Sequence, residues 1–237
     1  MTELDRRTWL AGAGALLLAP GVAQAAEPET PYDYLFLDLD DAPAGSTPPR
    51  AYAEAVKTRL PGITAAGGEV LGLFTPQIGW VSRQAALLVR WGPEAKGREG
   101  EVQGLMRDKT TKFAQRGRLE ATARPTPADK PRPGGIYVHR WFVVKPADVA
   151  EFLTLSQEGW RDFETRFDAN IFGLFTAERS IIDRRDAVTR LLLITRYKDH
   201  GVWQDSRDPS TAAMQAFQRR SAITRDTWNA STLLVPI

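Results

Sequence analysis

Two of the few side chains that combine reactivity with an apolar setting are neighbours. His139 and Arg140 lie within Ile136-Tyr137-Val138-His139-Arg140-Trp141-Phe142-Val143-Val144, a run that reads as a strand. His139 shares its parity with Tyr137 and Trp141. An imidazole there could act as a haem ligand, general base or ligand donor; a hydrogen-bonded core-edge histidine is the simpler reading. Arg140 shares its parity with Ile136, Val138, Phe142 and Val144. A guanidinium in such a row needs a carboxylate, backbone carbonyls or an anionic ligand. Structural pairing is the ordinary solution. Anchoring an anion, with Phe142 as apolar neighbour, is the functional one. Arg90 and Arg196 each end an apolar run just before an aromatic residue and invite the same question, although reaching water explains them more simply.

Other chemistry is excluded or weak. The 237-residue chain has two histidines and no cysteine, which removes disulfides, thiolate sites, cysteine nucleophiles and any multi-histidine metal centre. His200 follows Lys198-Asp199 and reads as a solvated loop. Asp38, Asp40 and Asp41 could hold a cation, but acids at a strand end are usually just hydrated. There is no phosphate-binding glycine loop, serine elbow or zinc motif. With 31 basic and 29 acidic residues the net charge is +2, too small to steer the chain to nucleic acid or anionic lipid. Arg184-Arg185 and Arg219-Arg220 read as turn and helix surface. The tryptophans from Trp80 to Trp228 read as core or rim.

The elements that would position these residues come in two rounds. Gly72-Leu73-Phe74-Thr75 recurs as Gly173-Leu174-Phe175-Thr176, an offset of 101 residues. Each copy follows a strand and an amphipathic helix, and each precedes an apolar strand ending in arginine and an aromatic. Strands are expected at 32–40, 69–76, 84–91 and 117–123, with a helix at 49–60 stopped or kinked by Pro61-Gly62 and another around Val102, Leu105, Met106 and Phe113. The second round gives strands at 135–144, 171–179, 187–197 and 232–236. Its helices are a phenylalanine-rich one opened by Pro146 and another carrying Met214, Phe217 and Trp228. Proline-dense residues 124–135 form a linker. The fold class is therefore α+β, two tandem ferredoxin-like βαββαβ repeats at 26–125 and 126–237. Leu35-Phe36-Leu37 and Leu191-Leu192-Leu193-Ile194 are apolar at both parities, so both sheet faces must be covered. Helices cover one face, and the other repeat's sheet covers the second.

Residues 1–25 read as a targeting segment. Asp5-Arg6-Arg7-Thr8-Trp9-Leu10 resembles a twin-arginine signature, the apolar run behind it is too short to anchor the chain in a bilayer, and Ala23-Gln24-Ala25 supplies the cleavage site. This implies a periplasmic or secreted protein that meets the twin-arginine translocase already folded.

The stretch Ile136–Pro146, with an apolar-tyrosine start, an arginine, an aromatic and a lysine-proline before the helix, resembles the opening strand of NIPSNAP-family domains. Phe172-Gly173-Leu174-Phe175 and the strand ending Arg196-Tyr197 resemble the rest of that domain. Val138 departs from the family, which usually has glutamate there. The resemblance implies a dimeric α/β-barrel fold with both halves supplied by one chain. The leading functional expectation is a barrel binding a small apolar or weakly anionic molecule between the sheets, without cofactor or demonstrable catalysis. Arg140, His139, Phe142, Arg90 and Arg196 are its candidate contacts. Barrels of this class also include haem-dependent and cofactor-free oxygenases, which is the alternative; a protein-interaction module is the third. Association with further copies of the chain is left open.

Overall fold

The computed structural model describes residues 31–93 and 95–237; the targeting segment and its cleavage site lie outside them. Repeat one runs β1 (Tyr32–Leu39), α1 (Pro48–Ala65), β2 (Gly68–Ile78), β3 (Gln84–Trp91), α2 (Arg98–Met106) and β4 (Thr111–Ala121). Repeat two runs β5 (Ile136–Val144), α3 (Val149–Arg166), β6 (Ala169–Ala177), α4 (Ile181–Arg185), β7 (Thr189–Tyr197), α5 (His200–Asp205), α6 (Ala212–Ala222) and β8 (Thr224–Val235). The eight strands close into one barrel in the order β1-β3-β2-β8-β5-β7-β6-β4. Each repeat thus keeps its own four strands together, and antiparallel edge pairing joins the repeats twice. Phe74 meets Leu234 across the β2–β8 seam, and Glu120 meets Thr176 across the β4–β6 seam. Closure leaves no strand edge unpaired.

The recurrent glycine has a packing cause. A bulge interrupts β2 between Val70 and Gly72 and β6 between Ile171 and Gly173. A Cβ on Gly173 would lie 2.8 Å from the Phe175 ring, and one on Gly72 would lie 2.5 Å from Leu234 Cδ1 and 3.1 Å from the Phe74 ring. In both repeats the phenylalanine two residues on needs that space to turn into the barrel.

Three cores result. Leu35, Leu37 and Leu87 pack outward against Tyr52 and Val56 of α1 and Val102 and Leu105 of α2. Ile136, Val138, Phe142 and Leu193 pack outward against Phe152, Trp160 and Phe163 of α3 and Ala213 of α6. Between them, Tyr32, Tyr34, Phe74, Leu88, Tyr137, Trp141, Phe172, Phe175, Leu192 and Ile194 fill the barrel interior. Apolar runs at both parities thus serve helices on one side and the other repeat on the opposite one.

Three local expectations need correction. Helix α1 does not stop at Leu60; it continues through Pro61 to Ala65, because fully buried Ile63 holds the last turn on the core. Phe113 belongs to β4, not α2, and is exposed. Trp228 belongs to β8, which begins at Thr224 and carries that ring against the barrel interior rather than along α6. Among the described residues no helix is long and apolar enough to cross a membrane.

Candidate active site

Alternation along β5 sends Tyr137, His139 and Trp141 into the barrel and Val138, Arg140 and Phe142 out toward the helices. His139 is 1% exposed, and its Nδ1 lies 2.9 Å from the hydroxyl of Tyr34, itself fully buried on β1. The two occupy equivalent places in the repeats. Tyr34 faces Leu88 on β3, and His139 faces Ile194 on β7. The imidazole is ringed by aromatics: Phe74 edge-on at 4.5 Å, Trp80 edge-on at 5.5 Å, and Trp141 beyond Tyr34 at 5.8 Å. Its Nε2 is buried without a partner. Burial pushes the imidazole down to about 3, so the ring is neutral at physiological pH. Burial likewise holds the Tyr34 phenol well above its ordinary range, so it stays protonated. A buried nitrogen with no partner costs free energy, and its retention in an aromatic cage calls for a functional reading.

Trp80 covers the imidazole from one barrel end. That residue sits on the β2–β3 turn, half-buried, with its ring edge-on to Phe36 at 5.2 Å. Ile78 and Val81 beside it are exposed, as is Phe113 at the same barrel end. Toward the same barrel end, on β8 next to β2 and β5 next to β8, Trp141 and Trp228 stack at 6.2 Å, with the Arg190 guanidinium over the Trp228 ring. Swinging Trp80 outward would open the face of His139 that its ring now covers.

The other sequence candidates go elsewhere. Arg140 does not face the space between the sheets: its face-mates are right, but that face is the helix-packed one. Phe142 lies there too, under the guanidinium of Arg220 at 4.8 Å. Arg90 pairs with Glu69, and Arg196 binds Asp168 and the Gly134 carbonyl. His200 opens α5 and contacts Ser231 Oγ at 3.1 Å. Asp38 is taken by Arg83 at 2.6 Å. Among the described residues no group of three or more histidines and acids could hold a metal. A shallow groove of about 500 Å³ between α1 and the β2–β8 seam, lined by Arg50, Glu54, Lys57 and Thr75, shares no residue with the His139 cage. Tyr34 was missed in the sequence. The shared parity of Tyr32, Tyr34 and Phe36 with Tyr137, His139 and Trp141, once the repeats are aligned, is the signal that would have found it.

Solved structures with this architecture agree in fold. A protein from Lactobacillus acidophilus provisionally named a monooxygenase matches with a TM-score of 0.54 at 11% identity, covering 87% of this chain and 94% of that one. An anthrone oxidase-like protein matches at 0.51 and 14%, covering 87% and 92%. A second provisionally named monooxygenase, from Fusobacterium nucleatum, gives 0.51 and 10%, covering 86% and 92%. The fold is the dimeric α/β barrel. At these identities the likeness is one of fold alone. No family model and no curated protein matches the chain.

A haem does not suit the cage. The bond from His139 Nδ1 to Tyr34 leaves Nε2 to face a metal, but Phe74 at 4.5 Å and Trp80 at 5.5 Å crowd the imidazole, and a macrocycle would have to displace both rings.

Proposed function

We propose that the chain is a cofactor-independent oxygenase whose substrate is a flat, fused-ring aromatic with an acidic C–H, and that His139 is its base. The observation that carries this reading is the buried, unpartnered Nε2 of His139 inside an aromatic cage, one ring of which, Trp80, sits on a turn. The anthrone oxidase-like and monooxygenase names among proteins of the same fold support the reaction class. The resemblance of Ile136–Pro146 to NIPSNAP domains, and export through a twin-arginine signal, belong to the same proposal.

When Nδ1 carries the imidazole proton and donates it to Tyr34 Oη, Nε2 presents its lone pair to the cage. An imidazole driven down by burial is a weak base in the empty barrel. Beside the carbanion that its own proton abstraction creates, the imidazolium gains an ion pair, and that pairing holds the proton in place. The carbanion gives one electron to dioxygen, the two radicals combine to form a C–O bond, and His139 returns its proton to the peroxide. Loss of water then leaves a ketone, so a methylene and dioxygen become a carbonyl and water. The apolar walls keep bulk water from the anion.

Oxygen uptake with anthrone as probe tests this. Metal-free protein should consume one dioxygen per ketone formed, with chelator making no difference. His139→Phe should lower the rate by about 10²–10⁴, the usual worth of a positioned base. Oxidation of anthrone no faster than in buffer, or equally fast in His139→Phe, would overturn the reading.

A further inference from the structure

On the outer face of the β5–β7–β8 sheet, under α5 and α6, three guanidinium groups gather with no carboxylate among them. Arg140 projects from β5 beside Phe142. Arg220 of α6 is 4% exposed and lies over the rings of Phe142 at 4.8 Å, Phe152 at 5.1 Å and Phe217 at 4.6 Å. It donates to Ser156 Oγ at 3.1 Å. Arg207, on the α5–α6 connection, stacks on Trp203 at 4.9 Å and keeps Nε and one terminal nitrogen buried without a partner. Burial and the nearby Arg207 push Arg140 down to about 10, and burial with Arg140 and Arg207 pushes Arg220 down to about 9. Nearby acids are occupied: Asp162 by Arg166 and the Ala213 amide, Glu158 by Arg219, Asp168 by Arg196, and Asp208 by Ser210.

Aromatic faces compensate a guanidinium in part. They do not satisfy in-plane N–H donors, and they do not offset repulsion among three cations in a dry environment. An oxyanion does both, because planar guanidinium forks match its geometry.

We propose that Arg140, Arg207 and Arg220 form an anion site of the second repeat, receiving the phosphate or carboxylate group of a small molecule between the sheet and the α5–α6 connection. Arg140 and Arg207 are half-buried and form its entrance, and Arg220 is its floor. The site is separate from the His139 cage, on the other face of β5, and does not depend on the oxygenase reading.

Thermal unfolding and calorimetry of the full chain with inorganic phosphate and with acetate, each at constant ionic strength in sodium chloride, test it. Saturable stabilisation by either anion is expected, and the preferred one identifies the group. Arg140→Met should weaken that anion's binding at least tenfold while leaving the unliganded midpoint unchanged or higher, since a repelled charge is replaced by packing. Arg207→Met reads the same effect from the α5–α6 connection if Arg140→Met fails to fold. Neither anion stabilising beyond the chloride control would overturn the proposal, as would equal binding in the variants.

Discussion

His139 is buried in its neutral form, and pH therefore acts on the barrel through it. Its ordinary value is 6.5 and its folded value about 3. A depressed folded value means a stabilisation present in full above 6.5 and lost as pH falls toward 3, because unfolding lets the ring take a proton. The slope is about 1.4 kcal/mol per pH unit, or about 2 kcal/mol between pH 6.5 and 5. Urea midpoints at pH 7.5, 6 and 5 should fall accordingly, and His139→Phe should remove most of that fall. Glu99, held below its ordinary 4.5 by its hydrogen bond to Arg116, acts only in a more acid window and cannot mimic the effect. Asp33 offers a second case. It is fully buried on the outer face of β1, accepting from Arg116 at 2.6 Å and Arg98 at 3.0 Å. Asp33→Ala would strand the Arg98 guanidinium and leave Arg116 with Glu99 alone, and a loss of about 3 kcal/mol in chemical denaturation is expected.

At the level of elements, the turn carrying Trp80 depends on Gly79. Its φ is +97°, and a Cβ there would lie 3.0 Å from the Asn229 carbonyl oxygen. Gly79→Ala should cost about 1–2 kcal/mol of stability and loosen Trp80, seen as a red shift of tryptophan emission with the fold retained. An unshifted spectrum and midpoint would mean that the turn does not hold that ring. The strand and helix order was legible in the sequence because duplication stated it twice and apolar runs at both parities demanded two covers. What was not legible follows from the same physics. Parity showed which residues travel with Arg140, but two apolar faces look alike, so nothing local says which one meets helices. Phe113 and Trp228 fell in helical phase by spacing, while backbone pairing with β1 and β5 drew them into strands. Tyr34 meets His139 only through closure of the ring, a contact 105 residues apart in sequence.

For the whole molecule, each half is built around the other. Leu88, Phe74, Phe175 and Ile194 are fully buried in the shared interior. Exposing four such side chains costs about 6–12 kcal/mol, comparable to the entire stability of an ordinary domain. Residues 26–125 and 126–237 expressed apart should therefore aggregate or remain unfolded. Two soluble, monomeric, cooperatively folding halves would contradict the arrangement. For the proposed export route, Arg6 and Arg7 both replaced by lysine should leave the precursor in the cytoplasm, and undiminished export in cell fractionation would count against it. The bond between Tyr34 and His139 has a further consequence. Equivalent places in two halves face each other across a pseudo-twofold axis, and in a homodimer each residue on that axis would meet its own copy. Identical subunits could offer tyrosine against tyrosine or histidine against histidine, never one of each. Joining the halves in a single chain frees the two positions to diverge. One side can then hold the imbalance of donor and acceptor that orients a proton, leaving a single reactive nitrogen rather than two competing ones.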